Sequence, residues 1–166
     1  MNQMVHQLMD QAARICLCEP LYHKMPPHIT LHPLVVGIEG DEVESIVASV
    51  LPSSRITLVP GRLTMFGEKL LVATIAAQPL TLSRLWVALH ESLRAAGHQA
   101  GEFEDDNTLH ITLIDNLHRV VPGRRNRLLQ ELTLEPTSFT LTAIVIYQKT
   151  ASDQPWREFK KFELPE

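Results

Sequence analysis

The 166-residue chain predicts an α+β fold, a single bilobal domain made of a duplicated unit. Two mostly antiparallel sheets are expected to line a central cleft, with helices on the outside. Three observations predict this. The tetrapeptide His-Ile-Thr-Leu occurs twice, at His28 to Leu31 and at His110 to Leu113, about half the chain apart. A stretch with apolar residues at helical spacing precedes each copy. The same series of patterns, helix then strand then strand, follows each copy. Units of roughly 80 residues bury too little surface to fold comfortably alone. The lobes, roughly 1–79 and 80–166, are therefore expected to form one domain.

Residues 3–17 carry Met4, Leu8, Ala12 and Ile15 at helical spacing. The segment from Glu19-Pro20 to Pro26-Pro27 breaks that helix. His28 to Val36 reads as a strand that stops at Gly37. A second helix covers Asp41 to Leu51, with Val43, Ile46, Val47 and Val50 as its apolar stripe. Strands follow at Arg55 to Phe66, interrupted or bulged at Pro60-Gly61, and at Leu70 to Ala77; Gly67-Glu68-Lys69 turns between them. The second half opens with a helix from Thr81 to Ala96. Thr81 or Ser83 is its candidate cap, Gly97 its C-terminal end, and Trp86 lies in its apolar stripe. An acidic loop, Gly101 to Asn107, leads to the strand Leu109 to Ile114. A helix from about Gly123 to Leu132 comes next, then strands Ser138 to Lys149 and Trp156 to Leu164. Ser152-Asp153-Gln154-Pro155 joins the last pair, and Trp156 is expected to pack.

A hydrophobic content of 45% with 20% charged residues is that of an ordinary soluble globular protein. No stretch approaches the ~20 apolar residues of a membrane span, and the N-terminus lacks a signal-peptide pattern. A cytoplasmic location is expected, with no membrane partner. Cys16 and Cys18, the only cysteines, are too close for an ordinary structural disulfide. They read as buried thiols in a reducing compartment. The net charge of −4 argues against gripping long duplex nucleic acid. One basic run, His118-Arg119 and Arg124-Arg125-Asn126-Arg127, reads either as a solvated helix start or as a rim attracting a phosphorylated substrate.

The chemistry lies in the repeated tetrapeptide. In a strand, residues i and i+2 share a face, so His28 and Thr30 point one way while Ile29 and Leu31 enter a core. His110 and Thr112 repeat that arrangement. A free imidazole titrates near 6.5, so one ring can accept a proton while another donates at neutral pH. A threonine hydroxyl two residues on can hold a phosphate oxygen.

This duplicated motif on this skeleton resembles the 2H phosphoesterase superfamily, which includes 2′-5′ RNA ligase-like proteins and cyclic nucleotide phosphodiesterases. Pro27-His28-Ile29-Thr30-Leu31 is similar to its first motif and Leu109-His110-Ile111-Thr112-Leu113 to its second. Trp156 to Leu164 is similar to its last strand. The resemblance implies His28 and His110 as the catalytic acid and base, and Thr30 and Thr112 as phosphate-binding residues. It implies a metal-independent phosphodiesterase that opens 2′,3′-cyclic phosphates on a nucleotide, an RNA end or an ADP-ribose derivative. The alternatives are a 2′-5′ RNA ligase or phosphodiesterase, and a nucleotide-binding module without turnover. A small phosphodiester or nucleotide is the expected partner, and no cofactor is expected. The chain departs from the family in two places. It starts in a helix where relatives have a strand. Ile114-Asp115-Asn116 stands where the RNA ligase-like branch often carries an Arg, which favours a small substrate over long RNA.

Other candidates are weaker. His23, His28 and His32 match no strong metal pattern, and His32 falls on the His28 face. His6, His90 and His98 are expected at the surface, and His118 on the rim. For stacking on a base, Tyr22, Phe66, Phe103 and Tyr147 are available. Phe66 and Tyr147 occupy comparable places in the two repeats and are the possible cleft residues. Lys24 and Lys69 are candidate phosphate contacts. Oligomeric state and natural substrate are not legible.

Overall fold

The first helical pattern forms α1 (Gln3–Cys16), which buries Val5, Leu8, Met9, Ala12 and Ala13. The structure, a computed structural model, describes residues 3–23, 25–31, 39–76, 79–98, 109–135, 137–149 and 154–166. Of the strand expected at His28 to Val36, residues 28–31 are described and form no strand: Ile29 makes an isolated bridge and Leu31 lies in a bend. The rest of it and the acidic loop at 101–107 fall outside the described residues. So do His32, Lys24, Phe103 and the first half of the expected turn at 152–155.

The remaining elements follow the expected order: α2 (Gly40–Ser49), β1 (Ile56–Leu58), β2 (Pro60–Phe66), β3 (Leu70–Ile75), α3 (Leu80–Ala95), β4 (His110–Ile114), α4 (Pro122–Glu131), β5 (Phe139–Leu141), β6 (Ala143–Gln148) and β7 (Arg157–Glu163). Short 3₁₀ turns lie at Leu21–His23 and Leu117–Arg119. Two expected strands are each divided in two, at Val59 and at Thr142. The short pieces β1 and β5 pair with each other. α3 begins one residue before Thr81, and its N-cap is Pro79 with no side-chain cap. The Pro79 carbonyl accepts from the Leu82 and Ser83 nitrogens, so neither Thr81 nor Ser83 is the cap.

The helices derived from the first helix of each repeat end alike. In α1, Cys18 N bonds Ala13 O and Leu17 N bonds Arg14 O; in α3, His98 N bonds Leu93 O and Gly97 N bonds Arg94 O. This is the Schellman pattern, which needs a left-handed residue just past the helix. Gly97 (φ 84) fills that place in α3 and Leu17 (φ 53) in α1. The turn carries Cys18 out to solvent, so of the two thiols only Cys16 is buried.

The chain divides into two compact units, each drawing on both halves of the sequence: 1–30, 58–77 and 108–139 in one, 31–57, 78–107 and 140–166 in the other. The repeat expected at residues 79 and 80 is thus a repeat of element order. Each compact unit takes its first helix and a strand hairpin from one half and its second helix from the other. In the first unit, α1 packs on α4 and on β4. Its sheet has the order β2-β3-β4, antiparallel throughout. Leu71, Ala73, Ile111 and Leu113 are fully buried in it. In the second unit, α2 packs on α3 and on β7, and β6 pairs antiparallel with β7. Val47, Leu89 and Leu93 form its core, with Leu31, Val43, Ile144, Ile146 and Phe162 against them. The expected apolar stripe of α2 is thus inward-facing, although Val47 is its only fully buried member. Among the described residues no helix is long and apolar enough to cross a membrane.

Candidate active site

All four residues of the two motifs belong to the first compact unit. Ile29 forms an antiparallel bridge with Ile111, on the edge of β4 away from β3. Antiparallel pairing at that point sets His28 opposite Thr112 and Thr30 opposite His110. Each histidine therefore has the other motif's threonine as its cross-strand neighbour. Alternation puts all four side chains on one face of the sheet. Burial along β4 follows the same rule: Ile111 and Leu113 are buried, while His110 and Thr112 are half-buried. His28 is half-buried and Thr30 exposed. The histidines thus stand diagonally across the Ile29–Ile111 bridge, in one compact unit rather than each in its own lobe as the sequence halves implied.

The backbone orients His28. Its Nδ1 lies 2.8 Å from the Pro26 carbonyl oxygen. A carbonyl only accepts, so Nδ1 carries the proton and Nε2 of the neutral ring keeps a free lone pair. Pro27, immediately before His28, is fully buried, which fixes the approach of the chain. On β3, Val72 pairs with Thr112 and Thr74 with His110. These two residues floor the site.

Phe66 reaches the same place. Its ring meets the His110 imidazole edge-on, with centroids 4.8 Å apart and planes at 73°. Tyr147 belongs to the second unit, where it pairs with Glu158. Burial, and then the Glu158 carboxylate, raises its phenol pKa. Tyr22 serves a different purpose: its hydroxyl donates to Asp10 at 2.7 Å, and its ring meets His6 and His23. His6 is accordingly half-buried rather than at the surface.

Three further expectations change. His98 is half-buried and bonds the Glu42 carboxylate through Nε2 at 2.9 Å. Trp86 is only half-buried and stacks on His90. Trp156 is 40% exposed, with the Lys149 ammonium 5.8 Å from its ring centre. The basic run is partly committed to structure, since Arg124 donates to the Ile15 carbonyl at the end of α1 and Arg127 pairs with Glu131. His118 and Arg119 are exposed. Lys69 is exposed in the hairpin turn, where its carbonyl accepts from Leu117 N.

Thr74 and Arg62 are members of this face that the sequence alone did not mark. A Thr and an Arg in strands carry no periodic signal, and only the register sets Thr74 beside His110 and Arg62 one strand further out, against Thr74.

The family model of the 2′-5′ RNA ligase superfamily matches residues 6–153. The chain belongs to that superfamily, the 2H phosphoesterases. Solved structures share the superfamily fold. E. coli LigT complexed with 3′-AMP is 13% identical with a TM-score of 0.61, covering 98% of this chain and 92% of that one. LigT complexed with ATP is 15% identical with a TM-score of 0.56, covering 97% and 93%. A further structure described as a phosphoesterase is 16% identical with a TM-score of 0.57, covering 84% and 78%. No curated protein matches the sequence at a significant level.

Proposed function

We propose that this 2H phosphoesterase opens 2′,3′-cyclic phosphates, without a metal, by general acid–base catalysis between His28 and His110. The observation that carries the reading is the Ile29–Ile111 bridge. It supports a reading in which two imidazoles and two hydroxyls, set on one face about that bridge, act on a single phosphodiester. One histidine takes a proton from the attacking water as its oxygen bonds to phosphorus. The other protonates the sugar oxygen as its bond to phosphorus breaks, leaving a phosphomonoester and a free hydroxyl. The Nε2 of His28, aimed by the Pro26 contact, is its working nitrogen. Thr30 and Thr112 hold the non-bridging oxygens and stabilise charge gathering on them. Phe66 offers an apolar edge to sugar or base. LigT structures holding 3′-AMP and ATP support a small nucleotide as the ligand class.

The test is hydrolysis of a 2′,3′-cyclic mononucleotide in EDTA by the wild type, His28→Ala and His110→Ala. Each acid–base role contributes roughly 10²–10⁴ in rate, so each variant should lose at least about 100-fold. Equal rates in all three proteins would overturn the reading. The superfamily's description as 2′-5′ RNA ligases favours a second reading, in which a sugar hydroxyl replaces water as nucleophile. Analysis of product linkage, 2′-5′ ester against 2′-phosphate, separates the two.

A further inference from the structure

The β2–β3 pair has one irregularity, next to the histidine face. Pro60 pairs with Ile75 and Leu63 with Ala73, so Gly61 and Arg62 both stand against Thr74. This is a β-bulge, which bends a strand and re-aims a side chain. A single side chain holds it. Thr74 Oγ1 accepts from Arg62 N at 3.0 Å and donates to the Arg62 carbonyl at 3.2 Å. Only glycine fits beside that hydroxyl: a Cβ at Gly61 would stand 2.7 Å from Thr74 Oγ1 and 3.0 Å from the Ala76 nitrogen.

Alternation then sets the direction of Arg62. Leu63 and Met65 pair with Ala73 and Leu71 on the core side. Arg62, Thr64 and Phe66 emerge on the other face, where the Phe66 ring touches His110. Arg62 and His110 flank Thr74 from opposite sides. Their backbones are two strand spacings apart, about 10 Å. Arg62 is exposed, and among the described residues no ion pair engages it.

We propose that Arg62 binds a second phosphate of the substrate, beside the one held between His28 and His110. The preferred substrates are then cyclic phosphates whose nucleoside carries a further phosphate, such as a 5′-phosphorylated end, over cyclic nucleoside monophosphates. The inference rests on the phosphodiesterase reading for the position of the first phosphate. Thr30 and Thr112 already stand beside the histidines, whereas the guanidinium starts from a strand further out. It is therefore placed for a neighbouring anion, with Phe66 on the same face for the nucleoside between. A guanidinium fork suits two phosphate oxygens at once. Both backbone polar groups of Arg62 are held by Thr74, which fixes where its side chain leaves the strand.

Calorimetric titration with adenosine 3′,5′-bisphosphate and adenosine 3′-monophosphate tests this in the wild type, Arg62→Gln and Arg62→Lys, with thermal melts confirming folding. The wild type should bind the bisphosphate about tenfold tighter, the lower end for a hydrogen bond to a charged group. Arg62→Gln should abolish that ratio, and Arg62→Lys should retain part of it. Equal wild-type affinities, or a full preference surviving in Arg62→Gln, would overturn the proposal. A preference lost in Arg62→Gln, in a protein that turns over no cyclic phosphate, upholds Arg62 and removes the phosphodiesterase reading. Turnover without any preference does the opposite.

Discussion

Cys16 and Cys18 are two residues apart and chemically unlike. Burial, and then the neighbouring Cys18 sulfur, pushes the Cys16 thiol up to about 11, against an opposing pull from Arg124. Cys18 lies past the end of α1 and is exposed. Iodoacetamide at pH 8 should therefore modify Cys18 alone in the folded protein and both after denaturation, as peptide mass analysis would show. The same shift makes stability pH-dependent. An unfolded thiol ionises near 9 while the native one keeps its proton, so the native state is favoured fully below pH 9 and loses that advantage as pH rises towards 11. Cys16→Ala should flatten the fall in urea-unfolding free energy over this window relative to wild type. An unchanged slope would show that Cys16 is not the group responsible. The sequence had suggested two similar buried thiols, because the helical spacing does not reveal that the chain turns at Leu17.

That turn belongs to the scale of elements. α1 and α3 end in the same hydrogen-bond pattern, yet one places Leu17 and the other Gly97 in the left-handed region. A side chain there costs about 1–2 kcal/mol, partly offset by the greater freedom glycine has in the unfolded chain. Leu17 is also 73% exposed, so it loses little packing if removed. Leu17→Gly should raise stability by roughly 0.5–1 kcal/mol, a Tm gain of about 1–4 °C in a calorimetric scan. A lower Tm would mean that the exposed leucine makes a contact worth more than the strain. Element type was legible wherever a period was long: α1 to α4, the β2–β3 hairpin and β4 all stand within a few residues of their expected bounds. Gly97 at the end of α3 and the irregularity at Pro60-Gly61 were legible from residue type, whereas the N-cap of α3 and the group that holds the bulge were not, because they depend on what lies beyond the helix end or across the sheet. Thr74 illustrates this. Its hydroxyl bridges the Arg62 backbone, yet in the sequence it is one threonine in an apolar strand. The repeated four-residue string marked the motif residues, and comparable strand ends marked Phe66 and Tyr147 alike, of which Phe66 lies against His110 and Tyr147 pairs with Glu158 in the other unit.

For the whole molecule, the main result is how the two halves share their parts. The compact unit containing both histidines needs α1, β2 and β3 from the first half, and β4 and α4 from the second. A fragment of residues 1–79 would leave α1 without α4 and β3 without β4. It should show no cooperative thermal transition, whereas the full chain should; a sharp transition in the fragment would show that half a sequence can complete a core. A duplicated motif reveals a duplication but not an exchange of elements, so the sequence halves appeared to be the lobes. The exchange also sets a timetable for a chain made from its N-terminus onward. Neither core can close around the early segments until much of the second half has been synthesised, since one waits for α4 and the other for β7. From the completion of β3 until α4 emerges, the chain carries α1 and the β2–β3 hairpin with apolar faces still unmatched. The paired histidines come together only after the second of them has emerged.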